Sequence, residues 1–134
     1  MSRSVFTYGS LMFTEVWSLV VAGRYRAADA RLDRHARFSV VDQTYPGMVL
    51  SPDAQVAGVV YFDVDDADVA RLDHFEGDDY RRDRVTVTLA DGTTTAAETY
   101  VYLHVDRLLA APWEPHAFAL QRFIDTYCRA RLDP

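Results

Sequence analysis

Cysteine is almost absent from this 134-residue chain, because Cys128 is the only one. A single cysteine excludes an internal disulfide and leaves no second thiol for a thiolate-rich zinc site. Cys128 itself is interpreted as a small buried hydrophobe on a helix. The chain also lacks the roughly 18 consecutive apolar residues that a membrane-spanning helix needs, and its start, MSRSVFTYGS, has no long apolar segment typical of a signal peptide. We therefore expect a cytoplasmic protein with no membrane partner.

Basic residues are also in the minority. The chain has 14 Lys and Arg against 20 Asp and Glu, which gives a net charge of -6 and a pI near 5.0. Nucleic acids and anionic membranes reward positive charge, so neither is expected as the main partner. The four histidines lie at positions 35, 74, 104 and 116, without the i, i+4 pair of a helical metal site. No metal or other cofactor is expected.

What the chain does contain fits one ordinary globular domain, residues 1–134. Hydrophobic residues make up 49% and charged residues 25%. This length is sufficient to bury a core without disulfide or metal crosslinks.

The apolar periodicity predicts more strands than helices. Strands are predicted at 3–9, 24–32, 38–41, 48–50, 55–64, 80–89 and 93–103. Helices are predicted from Thr14 to Ala22, from the DDADVARLDHFE segment to Gly77, and over 115–131, with Pro115 in the first turn of the last. Turns are predicted at TYPG (44–47), SPD (51–53) and Asp91-Gly92. This order predicts an α+β fold: a mainly antiparallel sheet, curled or closed, with two or three helices packed on it.

Some predictions concern individual positions. Thr14 is expected to cap the first helix and Gly23 to end it, with Val16, Leu19 and Val20 on the apolar face. Gly58, inside the most apolar strand, predicts a bulge or a close approach of another backbone.

Glu76 is the residue that departs most from an ordinary pattern. On a helical wheel it lies between Val69 and Leu72 on the inward face, whereas Asp68 and Asp73 are freer to point outward. Desolvation, the helix C-terminus and like charge nearby would all raise the pKa of this carboxyl. Such a group suits general acid–base catalysis. The alternatives are a frayed helix end with Glu76 in water, or an ion pair with an arginine of the 81–84 segment.

The stretch VFTYGSLM places a Gly-Ser step where a strand ends and a helix begins. Gly9 lets a ligand approach the backbone, and the N–H groups of Gly9, Ser10 and Leu11 are suited to bind an anion or a carbonyl oxygen. A simple turn is the alternative interpretation.

Other candidates have weaker support. His74 is a possible proton carrier beside Glu76 or a solvated residue at a helix end, and Ser10 lacks the sequence context of a catalytic serine. The arginines at 81, 82 and 84 are expected on a solvated face, with one of them available to a substrate carboxylate. Core or pocket walls are predicted for Tyr100, Tyr102 and Trp113.

Five segments occur in an order that resembles a known family: VFTYGSLM, TYPGMV, LDHFEGDDYRR, AETYVY and FIDTY. Together they resemble the gamma-glutamylcyclotransferase-like family over nearly the whole chain, and the pairing of YGSL with LDxFEGxxYxR is the specific part. The resemblance implies a small mixed β-barrel flanked by helices. It also implies that Glu76 is the catalytic acid/base and that the substrate is bound by Tyr8, Gly9, Ser10, Leu11 and Tyr80.

The activity implied is cyclisation of a small gamma-glutamyl amine or amino acid to 5-oxoproline, with release of the amine and without a cofactor. A homodimer remains possible. The alternative from another class is a non-catalytic module that binds a small molecule in the same pocket. A general amidohydrolase would need a metal site or an activated Ser or Cys, and the sequence indicates neither.

Overall fold

The computed structural model describes residues 2–115, 118 and 120–132. Its strands are β1 (Ser2–Thr7), β2 (Ala27–Val40), β3 (Pro46–Asp65), β4 (Tyr80–Leu89), β5 (Thr94–Tyr102) and β6 (Leu108–Pro112). Its α-helices are α1 (Thr14–Val20), α2 (Asp66–Glu76), α3 (Leu120–Phe123) and α4 (Arg129–Leu132). Single 3-10 turns cover Ser10–Met12 and Val105–Arg107, and a π-helical turn, Ile124–Cys128, joins α3 to α4. Residues 120–132 are called the C-terminal helical segment below.

The sheet closes on itself. The strand order is β3-β1-β5-β4-β2-β6, and β2 pairs again with β3, so the first five strands form a ring with β6 attached outside it. The β1–β5 pair is parallel, and the other pairs in the described chain are antiparallel. The prediction of a mainly antiparallel, closed sheet flanked by helices, an α+β barrel, is therefore confirmed. The β4–β5 hairpin is also confirmed, with Gly92 at its turn at φ +87°.

The long β2–β3 hairpin differs from its prediction. The segments 24–32 and 38–41 belong to one strand, and SPD (51–53) lies inside β3 rather than in a turn. The register explains the error: Asp33 pairs with Gln55 and His35 with Leu50, so residues 51–54 bulge opposite Arg34 alone. A bulge carries turn-like residues without ending the strand.

Alternation along β1 divides the core in two. Val5 belongs to a cluster between the sheet and the helices, whereas Phe6 belongs to a second cluster inside the barrel. Both side chains are essentially buried. A Cβ atom on Gly58 would collide with the carbonyl oxygen of Thr7 and with the Phe6 ring, which confirms the close backbone approach predicted there.

Helix α1 differs from its prediction at both ends. Phe13 is the N-cap, and the Thr14 hydroxyl donates to the neighbouring Glu15 carboxylate instead of capping the helix. The helix ends at Val20. Leu19, predicted on the apolar face, is 51% exposed, whereas Trp17 is buried and stacks on Tyr61 with 3.7 Å between ring centroids. The large flat ring buries more surface at this crossing than a leucine would.

Asp68 contradicts the prediction that it can point outward, because it is fully buried. Its carboxylate accepts hydrogen bonds from the backbone N–H groups of Ala22 and Gly23 (both 2.9 Å) and from the Tyr25 hydroxyl (2.6 Å), and it pairs with Arg71 (2.6 Å). Gly23 is therefore not a helix C-cap; its N–H is used to fix the loop after α1 against α2.

Helix α2 begins and ends as expected. The Asp65 side chain caps it by accepting from the N–H of Asp68 at 2.8 Å, and Gly77 ends it at φ +78°. A left-handed C-cap favours glycine because this residue has no Cβ.

The C-terminal helical segment begins later than the predicted helix of 115–131. The predicted helix begins at Pro115, and its residues 116, 117 and 119 lie outside the described residues. Phe123 and Cys128 are buried as the periodicity predicts. Among the described helices, none is both long and apolar enough to cross a membrane.

Candidate active site

A pocket opens where β1 ends, at the seam between the two core clusters. The six residues singled out from the sequence all line it: Tyr8, Gly9, Ser10, Leu11, Glu76 and Tyr80. The other walls come from Phe6, Thr7, Tyr45, Pro46, Phe75, Tyr100, Phe123 and Tyr127. Residues far apart in the sequence are thus brought into one cavity by barrel closure and by the C-terminal helical segment.

The turn after β1 presents main-chain donors to this pocket. The carbonyl groups of Gly9 and Ser10 accept from Met12 and Phe13 at 3.0 and 3.1 Å and so form a tight turn. The N–H groups of Gly9, Ser10 and Leu11 donate to no group within the described part of the chain. Three such donors on consecutive residues form a concave site suited to an oxygen of a ligand.

Gly9 is needed for the packing of this turn. A Cβ placed there would stand 2.8 and 2.9 Å from the Cγ and Cδ of Pro46. These atoms belong to a rigid ring at the start of β3, so they have little freedom to move aside. Any larger residue at position 9 would therefore displace the turn or Pro46.

Glu76 faces the same pocket with a carboxyl that has no hydrogen bond or ion pair to the described residues. Burial raises the pKa of Glu76 to about 8; the positive charge of Arg131 lowers it and the negative charge of Asp73 raises it. The predicted upward direction is confirmed. The alternative of an ion pair between Glu76 and an arginine of 81–84 does not occur; the cation that lowers the pKa of Glu76 is Arg131 of the C-terminal helical segment.

Three tyrosine hydroxyls fix the pocket walls by donating to backbone carbonyls. Tyr8 donates to Tyr100 at 2.5 Å, and Tyr80 donates to Pro46 at 2.7 Å. Burial raises the pKa values of both phenols well above the usual range, so both remain protonated. In the third bond Tyr127 donates to the carbonyl of Phe75 at 2.5 Å. The walls are therefore rigid before any ligand arrives.

Arg37 supports the loop, and the sequence gave no indication of this role. Its guanidinium donates to the carbonyl of Tyr8 at 2.6 Å and to that of Ala57 at 3.2 Å, and it lies over the Trp113 ring at 5.2 Å. In the sequence Arg37 lies between the predicted strands 24–32 and 38–41, and an arginine at such a position usually faces solvent.

The weaker candidates are mostly outside the pocket. His74 is exposed, Arg81 pairs with Asp83, and Arg84 is exposed, as expected for a solvated face. Arg82 differs, because it is half-buried between Asp73 (2.6 Å) and Glu98 (2.9 Å).

Of the predicted aromatic walls, Tyr100 lines the pocket, while Tyr102 and Trp113 are buried elsewhere. The described residues contain no group of three or more His, Cys, Asp or Glu placed to hold a metal ion.

Comparisons with known proteins identify relatives of this chain. AIG2-like protein D of Arabidopsis thaliana is 35% identical over 101 residues, which span 75% of this chain and 66% of that protein, just under two thirds of its length. Protein AIG2 C of the same plant is 28% identical over 94% of this chain and 79% of its own length.

Solved structures share the fold. A solution structure from Arabidopsis thaliana matches 97% of this chain and 82% of its own with a TM-score of 0.71 at 26% identity. A structure named gamma-glutamyl cyclotransferase matches the whole of this chain and 82% of its own, also with a TM-score of 0.71, at 22% identity. The sequence model of the family described as "Gamma-glutamyl cyclotransferase, AIG2-like" matches residues 5–116. This chain therefore belongs to the gamma-glutamyl cyclotransferase, AIG2-like family.

Proposed function

We propose that this protein cyclises the gamma-glutamyl group of a small gamma-glutamyl amine or amino acid to 5-oxoproline and releases the amine. The observation that carries the proposal is the pairing, in one pocket, of the Glu76 carboxyl and the free N–H groups of Gly9, Ser10 and Leu11. A proton carrier and a set of oxygen-binding donors are the two elements that this reaction requires.

The reaction begins at the substrate's α-amino group. It reacts as the neutral amine: as its nitrogen forms a bond to the gamma-carbonyl carbon of the same molecule, that nitrogen gives one proton to the ionised Glu76 carboxylate and keeps the other as the N–H of the ring. When the tetrahedral intermediate collapses, the bond between that carbon and the departing nitrogen breaks, and Glu76 returns its proton to the leaving amine. Atoms and protons balance without water or an oxidant. A carboxyl with a pKa of about 8 is close enough to neutrality to perform both transfers.

The turn after β1 stabilises the charge that develops during the reaction. Negative charge develops on the gamma-carbonyl oxygen as the ring closes, and backbone N–H groups that are already oriented stabilise it without reorganising. The pocket walls fold the substrate so that its two ends meet. Ring formation is intramolecular, and correct folding of the substrate lowers the barrier further.

The experiment is a panel of gamma-glutamyl amines and amino acids, with 5-oxoproline measured by mass spectrometry. The wild type should form 5-oxoproline from at least one compound, and Glu76→Gln should lose at least about 10²-fold in rate. Glu15→Gln is the matched control, because Glu15 lies exposed on α1; it should keep full activity.

The alternative is a binding module that uses the same pocket without turnover, which the names of the AIG2-like relatives leave open. Under that alternative the wild type would bind compounds of the panel and convert none. A Glu76→Gln variant that keeps more than half the activity would remove Glu76 from the mechanism.

A further inference from the structure

The guanidinium of Arg131 lies between Tyr127, which is a wall of the pocket, and Gly77, which follows the pocket residue Glu76. Its central carbon stands over the ring of Tyr127, 4.9 Å from the centroid, and Tyr127 lines the cavity. On the other side, a Cβ on Gly77 would stand 2.5 Å from Nη1 of Arg131. Gly77 directly follows Glu76, so the cation is held beside the end of α2 where the carboxyl is presented.

Gly77 therefore has a second use besides ending the helix. Its positive φ of +78° favours glycine, and the missing side chain leaves the space that Arg131 fills. The cation is positioned by an aromatic face and by a gap in the backbone surface, not by an acidic partner.

Arg131 has no anionic partner in the described chain. It forms no hydrogen bond or ion pair to the described residues, whereas Arg129, two positions earlier on α4, lies 3.7 Å from the Asp125 carboxylate. The charge of Arg131 nevertheless reaches the pocket, since it lowers the pKa values of Glu76, Tyr45 and Tyr127. A planar fork of N–H donors beside a pocket wall is suited to a carboxylate of the ligand.

We propose that Arg131 binds a carboxylate of the substrate at the pocket mouth and so selects among gamma-glutamyl compounds. The inference rests on the proposed function and adds a specificity-determining residue to it. Every such substrate carries an α-carboxylate on the gamma-glutamyl part, and a gamma-glutamyl amino acid carries a second one on the departing amine. Whichever carboxylate is bound, the contact is the same: one carboxylate against the guanidinium of Arg131.

The test compares two substrates that differ only in the second carboxylate: gamma-glutamylalanine and gamma-glutamylethylamide. Both are titrated into Glu76→Gln, with and without Arg131→Gln, so that binding is read without turnover. Arg131→Gln should weaken binding of gamma-glutamylalanine at least about tenfold, the range of a charge-assisted hydrogen bond. If only gamma-glutamylalanine loses affinity, Arg131 binds the carboxylate of the departing amino acid. If both compounds lose affinity equally, Arg131 binds the α-carboxylate.

Kinetics of the otherwise wild-type protein give the second measurement. Arg131→Gln should raise KM and leave kcat nearly unchanged when each variant is assayed at the pH of its own maximal rate, because the substitution also changes the ionisation of Glu76. Arg131→Lys should restore part of the affinity. Arg129→Gln, on the same helical segment, is the matched control and should resemble the wild type.

Unchanged affinity for both compounds after Arg131→Gln would overturn the inference while leaving the proposed reaction intact. Failure of Glu76→Gln to bind either compound, together with no turnover by the wild type, would overturn both.

Discussion

The hydroxyl of Tyr100 donates to the carboxylate of Asp73 at 2.7 Å, which fixes a negative charge just outside the pocket wall. Tyr100 lines the pocket, and Arg82 holds the other oxygen of Asp73 at 2.6 Å. The charge of Asp73 raises the pKa of Glu76. A residue that does not line the main cavity thus tunes the carboxyl within it.

We predict that Asp73→Asn moves the acidic limb of the pH–rate profile to lower pH. The base must be ionised to begin the reaction, so the limb of kcat/KM should follow the pKa of Glu76, near 8 in the wild type. Removing the like charge of Asp73 lowers that pKa, and the asparagine amide can still contact Tyr100. Asp78→Asn, on an exposed neighbour, is the control. A limb that stays in place or moves upward in Asp73→Asn would contradict the assignment of the limb to Glu76.

We predict that the turn after β1 binds through its backbone. Gly9→Val should abolish binding of 5-oxoproline, because a side chain at position 9 collides with the Pro46 ring. Ser10→Thr should change affinity less than about threefold, because the N–H group remains. Calorimetric titration of both variants measures the effect. Wild-type affinity in Gly9→Val would place the ligand elsewhere, and a large loss in Ser10→Thr would assign the contact to the hydroxyl.

The raised pKa of Glu76 also carries a cost in stability. The pKa of Glu76 is about 8 in the folded state and ordinarily 4.5, so the folded protein binds more protons than the unfolded chain between these two pH values. The favourable contribution of protonated Glu76 to the free energy of unfolding is complete below about pH 4.5 and is lost as the pH rises through about 8.

Glu76→Gln should therefore be more stable than the wild type at pH 7, by on the order of 2 kcal/mol after allowance for screening at the pocket mouth, and equally stable near pH 4. Urea unfolding at the two pH values measures the difference. A wild type that is more stable at pH 7, with the advantage disappearing in acid, would mean that the carboxylate is paired and its pKa depressed.

Asp68 should show the opposite dependence on pH. Burial by itself raises its pKa, but the donors from Ala22, Tyr25, Gly23 and Arg71 outweigh burial and lower the pKa to about 2. The ionised Asp68 stabilises the fold above pH 3.8, the ordinary pKa of an aspartate, and this stabilisation is lost as the pH falls through about 2.

Asp68→Asn should destabilise the protein at pH 7 by about 1–3 kcal/mol, because an amide nitrogen cannot accept the bonds that one carboxylate oxygen accepts. Thermal melts from pH 7 down to pH 3 should show the deficit shrinking, with the exposed Asp53→Asn as the control. A deficit that does not change with pH would argue for a loss of packing rather than of charge.

The sequence was most informative where local chemistry and fold agree. Gly77, Gly92 and the strand of β4 follow from turn and periodicity rules, and Glu76 is conspicuous because a carboxylate on an apolar helix face is costly. It was least informative where tertiary contacts override local preference. Asp68 has the sequence context of a solvated helical residue, and only the loop of Ala22 and Gly23 folding onto it accounts for its burial.

The same limit applies to the site. The YGSL turn and Glu76 can be recognised in the sequence. The residues that hold them in place cannot, because their contacts depend on distances across the barrel. Arg37 reaches the Tyr8 carbonyl from β2, which does not pair with β1, and Arg131 reaches Gly77 from α4. No spacing rule along the sequence encodes either contact.

The parallel pairing of β1 with β5 has a consequence for folding kinetics. The β2–β3 and β4–β5 hairpins join neighbouring segments, whereas Val5 of β1 must find Glu98 of β5. Contacts between distant parts of a chain carry the larger loop-closure entropy and form slowly. Since the Tyr8–Tyr100 wall stands on that same pair of strands, a chain with both hairpins formed would still be inactive. Recovery of activity during refolding should therefore report closure of the barrel, and should lag behind the return of hairpin structure.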